Sequence, residues 1–230
     1  MEIKPIAKIH TQFPTKFGIP RQSGLADTEA RIVFEPEYRV DEALRGIDGY
    51  SFLWLIWEFT EAKAESWSPT VRPPRLGGNT RMGVFATRSP YRPNSLGLSL
   101  VELLRVERTP NEGSVLIVRG ADILDGTPVY DIKPYLPYAE AHPEARGGFA
   151  AEVTGDKLMV TLPENTGRLT AAEINALTQI LRQDPRPHYQ NDPEKEYAFE
   201  FAGHKVRFQC REEHLIVNSI TCWQNNSEEV

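Results

Sequence analysis

The chain has 230 residues, of which 40% are hydrophobic and 25% charged, and 32 acidic against 26 basic residues give a net charge of −6. These values are typical of a globular protein, and no apolar run approaches the ~20 residues that a membrane-spanning helix needs. The N-terminus lacks the apolar core of a signal peptide, so a cytoplasmic location is expected.

Short strands dominate the first 135 residues. Runs rich in β-branched, aliphatic and aromatic residues, separated by turn signals, predict six of them. The six runs are residues 3–9, 30–36, 50–59, 82–88, 96–107 and 114–123. Because no long helical pattern separates these runs, the sequence predicts a mainly β domain, an antiparallel barrel or a sandwich, rather than a doubly wound sheet.

The segment 66–101 contains five arginines and no Asp, Glu or Lys, although the chain as a whole is acidic. Two prolines in its motif RSPYRPNSLGLS exclude a helix, so Arg88 and Arg92 are predicted on a loop of fixed shape. Guanidinium groups suit anionic oxygens, and rings such as Trp67 and Tyr91 could stack on a base. This pattern favours a nucleotide or polyanion site. The alternative is a rigid loop whose arginines pair with carboxylates from elsewhere in the chain.

An acidic stretch, ADILDGTPVYDIKPY, occupies residues 121–135. Alternation along an extended strand places Asp131, Lys133 and Tyr135 on one face. A carboxylate, an ammonium group and a phenol together could bind a polar ligand or move a proton. The alternative is a turn followed by a salt-bridged edge strand.

The composition changes at residues 134–148, which are rich in Pro, Ala and Gly. This segment is predicted to link a β domain over residues 1–140 to a small α+β domain over residues 149–230. In the second domain, residues 149–162 suggest a hairpin. Two further elements follow: a helix that begins with a capping box at Thr170 and Glu173, and three strands, of which the first two turn at Ala202–Gly203.

Cys210 and Cys222 are too few and too far apart for a zinc cluster. The five histidines form neither an HxH nor an HExxH pattern, so no metal site is predicted. Buried free thiols are the expected state of the two cysteines, and a cross-strand disulfide is the alternative.

Four segments in this order, VRPPRLGGN, RMGVFATRSPYRPN, DGTPVYDIKPY and DPRPHY, resemble the TsaA-like or TrmO family of tRNA methyltransferases. FGIPRQSG matches the N-terminal element of that family, so the resemblance covers nearly the whole chain. It implies a single-sheeted antiparallel β-barrel that uses S-adenosylmethionine without a Rossmann domain. It also implies methylation of the exocyclic amine of threonylcarbamoyladenosine, the nucleoside next to the anticodon at position 37. Family members are dimers, and their C-terminal domain is thought to help hold tRNA.

The resemblance further implies which residues bind the methyl donor. Carried over by motif, they are Pro20, Arg21, Gln22, Thr60, Glu61, Arg88, Leu98, Asp125, Gly126, Thr127 and Pro128. Many family members have a histidine where this chain has Thr60 and Glu61, so main-chain contacts alone are expected to persist there.

The chemistry of the reaction suggests roles for a second set of residues. Asp131 or Tyr135 could accept the amine proton late in methyl transfer, because the sulfonium donor is already activated. The residues expected to contact tRNA are Arg72, Arg75, Arg92, Asn94, Lys133 and Arg186. Of these, Arg92, Lys133 and Arg186 could bind the threonyl carboxylate by charge-assisted hydrogen bonds. The alternatives are a methyltransferase that acts on another RNA position and a noncatalytic RNA-binding barrel.

Overall fold

The computed structural model describes residues 2–62, 67–73, 76, 79–152, 158–186 and 192–222. Six strands of the N-terminal half are β1 (Ala7–His10), β2 (Glu29–Phe34), β3 (Phe52–Glu58), β6 (Leu96–Thr109), β7 (Gly113–Arg119) and β8 (Thr127–Pro134). They close into a barrel in the order β1-β2-β7-β6-β3-β8, and each neighbouring pair is antiparallel. The predicted antiparallel β-barrel is confirmed.

Alternating side chains fill the interior of the barrel. In β3, Leu53, Leu55 and Trp57 are buried, whereas the residues between them are only partly so. Ile9 and Ile32 from neighbouring strands belong to the same buried cluster. Burial of one such side chain contributes roughly 1.5–3 kcal/mol, so this core favours the closed sheet over an open one.

The strand predicted at residues 82–88 is wrong beyond its first two residues. Only β5 (Met82–Gly83) is extended, and it pairs with the equally short β4 (Thr70–Val71). Val84–Ala86 then forms a 3-10 turn, which Thr87 closes by donating its hydroxyl to the Val84 carbonyl oxygen at 2.8 Å. The short partner explains the difference, because strand propensity cannot hold an extended segment that has no neighbour to pair with.

The C-terminal half contains a sheet and one longer helix. Its described elements are α2 (Phe149–Glu152), β9 (Met159–Thr161), α3 (Ala171–Arg182), β10 (Tyr197–Phe201), β11 (His204–Arg211) and β12 (His214–Cys222), and α1 (Pro137–Glu140) precedes them. The sheet order is β10-β11-β12-β9. The small α+β architecture, the capping box at Thr170 and Glu173, and the turn at Ala202–Gly203 are confirmed, the last by positive φ angles at both residues.

The hairpin predicted at residues 149–162 is wrong. Its first residues form the short helix α2, and β9 pairs in parallel with β12 from the end of the chain. A parallel pair needs a long connection, which α3 and the β10–β11 hairpin supply here. Local alternation could not show this pairing, because it depends on which sheet edge is open.

The two cysteines lie on different strands of this sheet and are both free. Cys210 is buried opposite Leu215, whereas Cys222 is exposed opposite His204, so the alternative of a cross-strand disulfide is wrong. Within the described ranges, no helix is long and apolar enough to cross a membrane.

The segment between β1 and β2 packs against both halves of the molecule. Phe13 and Ala26 are buried in the hydrophobic core of the C-terminal sheet. Gly18 has a φ of +97°, and a Cβ there would lie 2.3 Å from the ring of Phe199, so only glycine fits. The segment that carries the Pro-Arg-Gln motif is therefore held between the barrel and the C-terminal sheet.

Candidate active site

One end of the barrel opens into a cleft of about 580 Å³. Its walls come from the β1–β2 segment, the end of β3, the loop that carries Arg88 and Arg92 (the arginine loop, residues 87–92), the start of β6 and the turn before β8. The lining residues are Lys16, Ile19, Pro20, Arg21, Gln22, Trp57, Glu58, Phe59, Thr60, Glu61, Ala62, Thr87, Arg88, Pro90, Tyr91, Arg92, Leu96, Gly97, Leu98, Asp122, Leu124 and Thr127. A concave, largely apolar site with a few convergent polar groups is typical of small-molecule binding.

Two segments distant in sequence meet in the cleft through Arg88 and Gln22. Arg88 Nη1 donates a hydrogen bond to Gln22 Oε1, and Gln22 Nε2 donates to the carbonyl oxygen of Arg21. The amide thus orients the guanidinium group from one side. Because Arg88 lines the cleft and is held in this way, its guanidinium group suits an anionic group of a ligand.

A buried polar chain connects the inside of the barrel to the cleft. Trp57 Nε1 donates to Ser99 Oγ at 2.9 Å, and Ser99 Oγ donates to Asp122 Oδ1. Gly97 makes room for the indole, because a Cβ at this position would lie 2.3 Å from the Trp57 ring. The LGLS motif at the start of β6 therefore supplies both the space for Trp57 and the hydroxyl that binds it.

Asp122 is the carboxylate at the cleft end of this chain. Burial raises its pKa above the ordinary value of 3.8, and hydrogen bonds from Ser99 and the Ser23 backbone oppose that shift, as does the positive charge of Arg88. Asp122 belongs to the acidic stretch 121–135, but sequence reasoning gave it no site role. Its one signal was weak: a lone carboxylate between two apolar residues, Ala121 and Ile123, both of which are buried.

Aromatic side chains and an arginine form an exposed rim beside the cleft. Phe85 is 73% exposed and Tyr91 and Trp67 are each 52% exposed. The Arg92 guanidinium lies 5.8 Å from the Phe85 ring centroid, and the Trp67 and Phe85 rings are stacked at 6.3 Å. Arg92 Nη1 also donates to the carbonyl oxygens of Val84 and Thr87. Such a rim offers flat faces on which bases could stack.

Most residues predicted to bind the methyl donor meet in the cleft. Those that line it are Pro20, Arg21, Gln22, Thr60, Glu61, Arg88, Leu98 and Thr127. Glu61 also pairs with Lys16 across the cleft wall, with 3.1 Å between Oε2 and Nζ.

The rest of the DGTP turn supports the cleft wall without lining it. Asp125 Oδ1 accepts a hydrogen bond from the Thr11 backbone at 2.9 Å, and Gly126 supplies a left-handed residue with a φ of +73°. Pro128 lies opposite Lys8 in the pairing of β8 with β1. Of these predicted donor contacts, none is among the residues that line the cleft.

The predicted catalytic residues are not among those that line the cleft. Asp131 Oδ1 accepts from the Ile132 backbone, and Asp131 Oδ2 lies 3.0 Å from Lys133 Nζ, so these two share one face, as predicted. The Tyr135 ring packs against Phe52 and Trp54, at the opposite end of β3 from Trp57. In the pairing of β8 with β3, Asp131 lies opposite Ile56, the neighbour of the cleft residue Trp57, but Asp131 itself does not line the cleft. A catalytic role for Asp131 or Tyr135 remains a prediction without a contact in the cleft.

The residues predicted to contact tRNA are dispersed. Arg92 lines the cleft, Arg72 and Asn94 are exposed outside it, and Lys133 is paired with Asp131 on the barrel wall. Arg186 is tied to Asp184 by two hydrogen bonds of 2.8 Å and its side chain is 10% exposed. The prediction for Arg75 lies outside the described residues.

Comparisons with known proteins agree with this architecture. The tRNA-methyltransferase O N-terminal domain matches residues 8–141, and the TrmO C-terminal domain matches residues 158–222. The tRNA (adenine(37)-N6)-methyltransferase of Escherichia coli is 41% identical, covering 90% of this chain and 92% of the relative. A putative S-adenosylmethionine-dependent methyltransferase, RcsF of Pseudomonas aeruginosa, is 42% identical over 85% of this chain and 87% of its own. The crystal structure of TrmO from Pseudomonas aeruginosa superimposes with a TM-score of 0.77 at 31% identity, covering 96% of this chain and 98% of that chain.

The barrel, its arginine-containing cleft and these matches define the class of the protein, which is a β-barrel tRNA methyltransferase. Within that class, the chain belongs to the tRNA-methyltransferase O family, with the two family domains in order along the sequence.

Proposed function

We propose that this protein transfers a methyl group from S-adenosylmethionine to the exocyclic N6 of adenine 37 in tRNA. The observation that carries the proposal is the cleft, in which the Pro-Arg-Gln motif and Arg88 meet at the open end of the barrel. The names of relatives that align along most of their length support the reaction and the cofactor.

The residues present in the cleft fit the methyl donor by charge and polarity. Arg88, oriented by Gln22, suits the carboxylate of the methionine part, and Asp122 suits its positive charge. Leu96 and Leu98 offer exposed apolar surface for the adenine ring. When bound, S-adenosylmethionine supplies a methyl group activated by attachment to a sulfonium.

The protein contributes placement and electrostatics to the reaction. An adenine amine is a poor nucleophile because its lone pair is delocalised, so the acceptor nitrogen must be held in line with the donor. The rim of Phe85, Tyr91 and Arg92 lies where an extruded nucleotide could stack before its amine enters the cleft. Proton loss can follow methyl transfer, so a strong base is not needed at the start.

The finer substrate, threonylcarbamoyladenosine, is part of this proposal. Its threonyl group carries a carboxylate, and Arg92 is the arginine that belongs to both the cleft and the rim. Lys133 and Arg186 are less well placed, because each is paired with an aspartate away from the cleft lining. We also propose a homodimer and a cytoplasmic location, which the family resemblance suggests.

The deciding experiment is methyl transfer from labelled S-adenosylmethionine to tRNA with and without prior threonylcarbamoylation, followed by nucleoside mass spectrometry. Methylation of the threonylcarbamoylated nucleoside alone would support the full proposal. Methylation of plain adenine 37 would retain the reaction but remove the substrate preference. Donor binding without transfer to either tRNA would contradict the proposed acceptor.

A further inference from the structure

Helix α3 of the C-terminal half is bonded directly to the segment that forms one wall of the cleft. Arg21 Nη2 donates to the Asp184 carbonyl oxygen at 2.6 Å, and Gln183 Nε2 donates to the Leu25 carbonyl oxygen at 2.7 Å. Gln179 makes two more bonds to Asp27, one to the backbone at 2.7 Å and one to the carboxylate at 2.6 Å. Four hydrogen bonds thus hold residues 21–27 against the end of one helix.

The acceptor of the Arg21 bond is itself held in place. Asp184 has a φ of +51°, which turns the chain sharply where α3 ends. Arg186 binds both carboxylate oxygens of Asp184 at 2.8 Å, and its backbone donates to Oδ1 at 3.2 Å. Because the Arg186 side chain is 10% exposed, this pair is shielded from solvent competition.

The same contacts continue into the cleft. The Arg21 carbonyl oxygen accepts from Gln22 Nε2, and Gln22 Oε1 accepts from Arg88 Nη1. A connected series, Arg186, Asp184, Arg21, Gln22 and Arg88, therefore runs from the C-terminal half to the guanidinium group of the proposed donor site.

We propose that the end of helix α3, through Asp184 and Arg186, positions the methyl-donor site by fixing Arg21 and Gln22. Arg186 is then a positioning residue for donor binding and does not read tRNA. The C-terminal half completes the donor site of the barrel, a role distinct from holding RNA. This inference rests on the proposed function, because it assumes that the cleft binds S-adenosylmethionine.

The test measures S-adenosylmethionine affinity by calorimetry on the full chain without tRNA. Arg186→Ala is expected to weaken binding on the order of tenfold, since loss of a supporting contact loosens the groups that touch the ligand. Arg182→Ala is the matched control: it removes the same charge from an exposed position, the last residue of α3, and should bind the donor like the wild type. Arg186→Lys keeps the charge but not the bidentate hydrogen bond, so its donor affinity should lie between those of Arg186→Ala and Arg182→Ala.

A second variant separates positioning from folding. Asp184→Asn keeps a side chain that tolerates a positive φ but removes the ionic partner of Arg186, so it should fold and still lose donor affinity. Folding is checked by thermal melting. Wild-type donor affinity in folded Arg186→Ala and Asp184→Asn would overturn the inference, as would a loss confined to tRNA affinity. If the wild type itself failed to bind the donor, the proposed function would fail first, which is a distinguishable result.

Discussion

The two ends of strand β3 carry similar chemical groups in different surroundings. At the cleft end, Trp57 is bonded through Ser99 to the half-buried Asp122, and Arg88 lies nearby. At the far end, Trp54 donates to Glu140 at 3.0 Å, in the exposed short helix that follows the barrel. At each end, therefore, an indole N–H is linked to a carboxylate, directly in the case of Trp54 and through the Ser99 hydroxyl in the case of Trp57.

The difference lies in burial and in what the groups face. On strand β8, the pair of Asp131 and Lys133 is open to water, where an ion pair contributes about 0–1 kcal/mol. Asp122 lines a concave site, and burial raises its pKa. Composition alone therefore does not identify a site, and the cleft end should carry the function.

The largest expected effect on donor affinity comes from removing Arg88, the cationic group at the cleft end. Arg88→Ala should weaken S-adenosylmethionine binding by about 100-fold, since a hydrogen bond to a charged group contributes up to roughly 3 kcal/mol. Lys133→Ala removes a cation from the far end and should leave donor affinity within twofold, because its partner remains solvated. Calorimetry without tRNA measures both. Equal losses of donor affinity in the two variants would show that the two ends of β3 do not differ in function.

The next effect concerns packing. Gly97→Ala would place a methyl group 2.3 Å from the Trp57 ring and should destabilise the protein by about 1–3 kcal/mol, the usual cost of overpacking. Gly49→Ala, near the far end, meets no atom within 4 Å and should leave stability unchanged. Denaturant unfolding of both variants checks this. If Gly97→Ala were as stable as the wild type, the Trp57 indole could move to make room for the methyl group. The part of the cleft wall that Trp57 forms would then not be rigid.

The third expected effect is a difference in donor affinity between variants of Asp122 and Asp131. Asp122→Asn should reduce donor affinity by about tenfold, a loss of roughly 1.4 kcal/mol, since the donor loses an anionic neighbour. Asp131→Asn should keep both donor affinity and turnover. Normal turnover after Asp122→Asn together with a clear loss in Asp131→Asn would instead support the catalytic prediction made from sequence.

The pH dependence of donor binding should also differ between the two aspartates. The pKa of Asp122 is raised above 3.8, so its carboxylate takes up a proton at a higher pH than an ordinary aspartate does. The donor keeps its positive charge over that range and loses its anionic neighbour. Donor affinity of the wild type should therefore fall as the pH is lowered through the raised pKa, and Asp122→Asn should lack this fall. Calorimetry between pH 4 and pH 8, with Asp131→Asn as the control, measures it.

Sequence patterns could predict the antiparallel strands because local alternation decides which face of a strand is buried, whereas the choice of a barrel over a sandwich came from the family resemblance. The buried residues of β3, Leu53, Leu55 and Trp57, follow that rule directly. The arginine loop was found for a similar reason, since prolines act on their immediate neighbours. Both features depend on residues that are close together in the chain.

The features that sequence could not predict depend on distant contacts. Asp122, in the connection between β7 and β8, gains its role from burial and from Ser99 on strand β6, and no local pattern reports either. Arg186 was predicted to contact tRNA because it follows a proline on a stiff loop, yet its side chain is bound by Asp184, two residues earlier in the chain. The β1–β2 segment has no local signal that it packs on the C-terminal sheet, although Phe13 and Ala26 are buried there.

The smallest expected effect concerns the aromatic rim. Tyr91→Ala should raise the KM for tRNA about fivefold, because stacking on an exposed ring contributes roughly 1 kcal/mol, and donor affinity should not change. Tyr135→Phe removes only the far-end hydroxyl and should leave KM and kcat unchanged, since that ring packs against Phe52 and Trp54. Steady-state kinetics with varied tRNA distinguishes the two. A fall in kcat for Tyr135→Phe would show that the far end takes part in the chemistry, because this substitution keeps the ring packing and removes only a proton-bearing group.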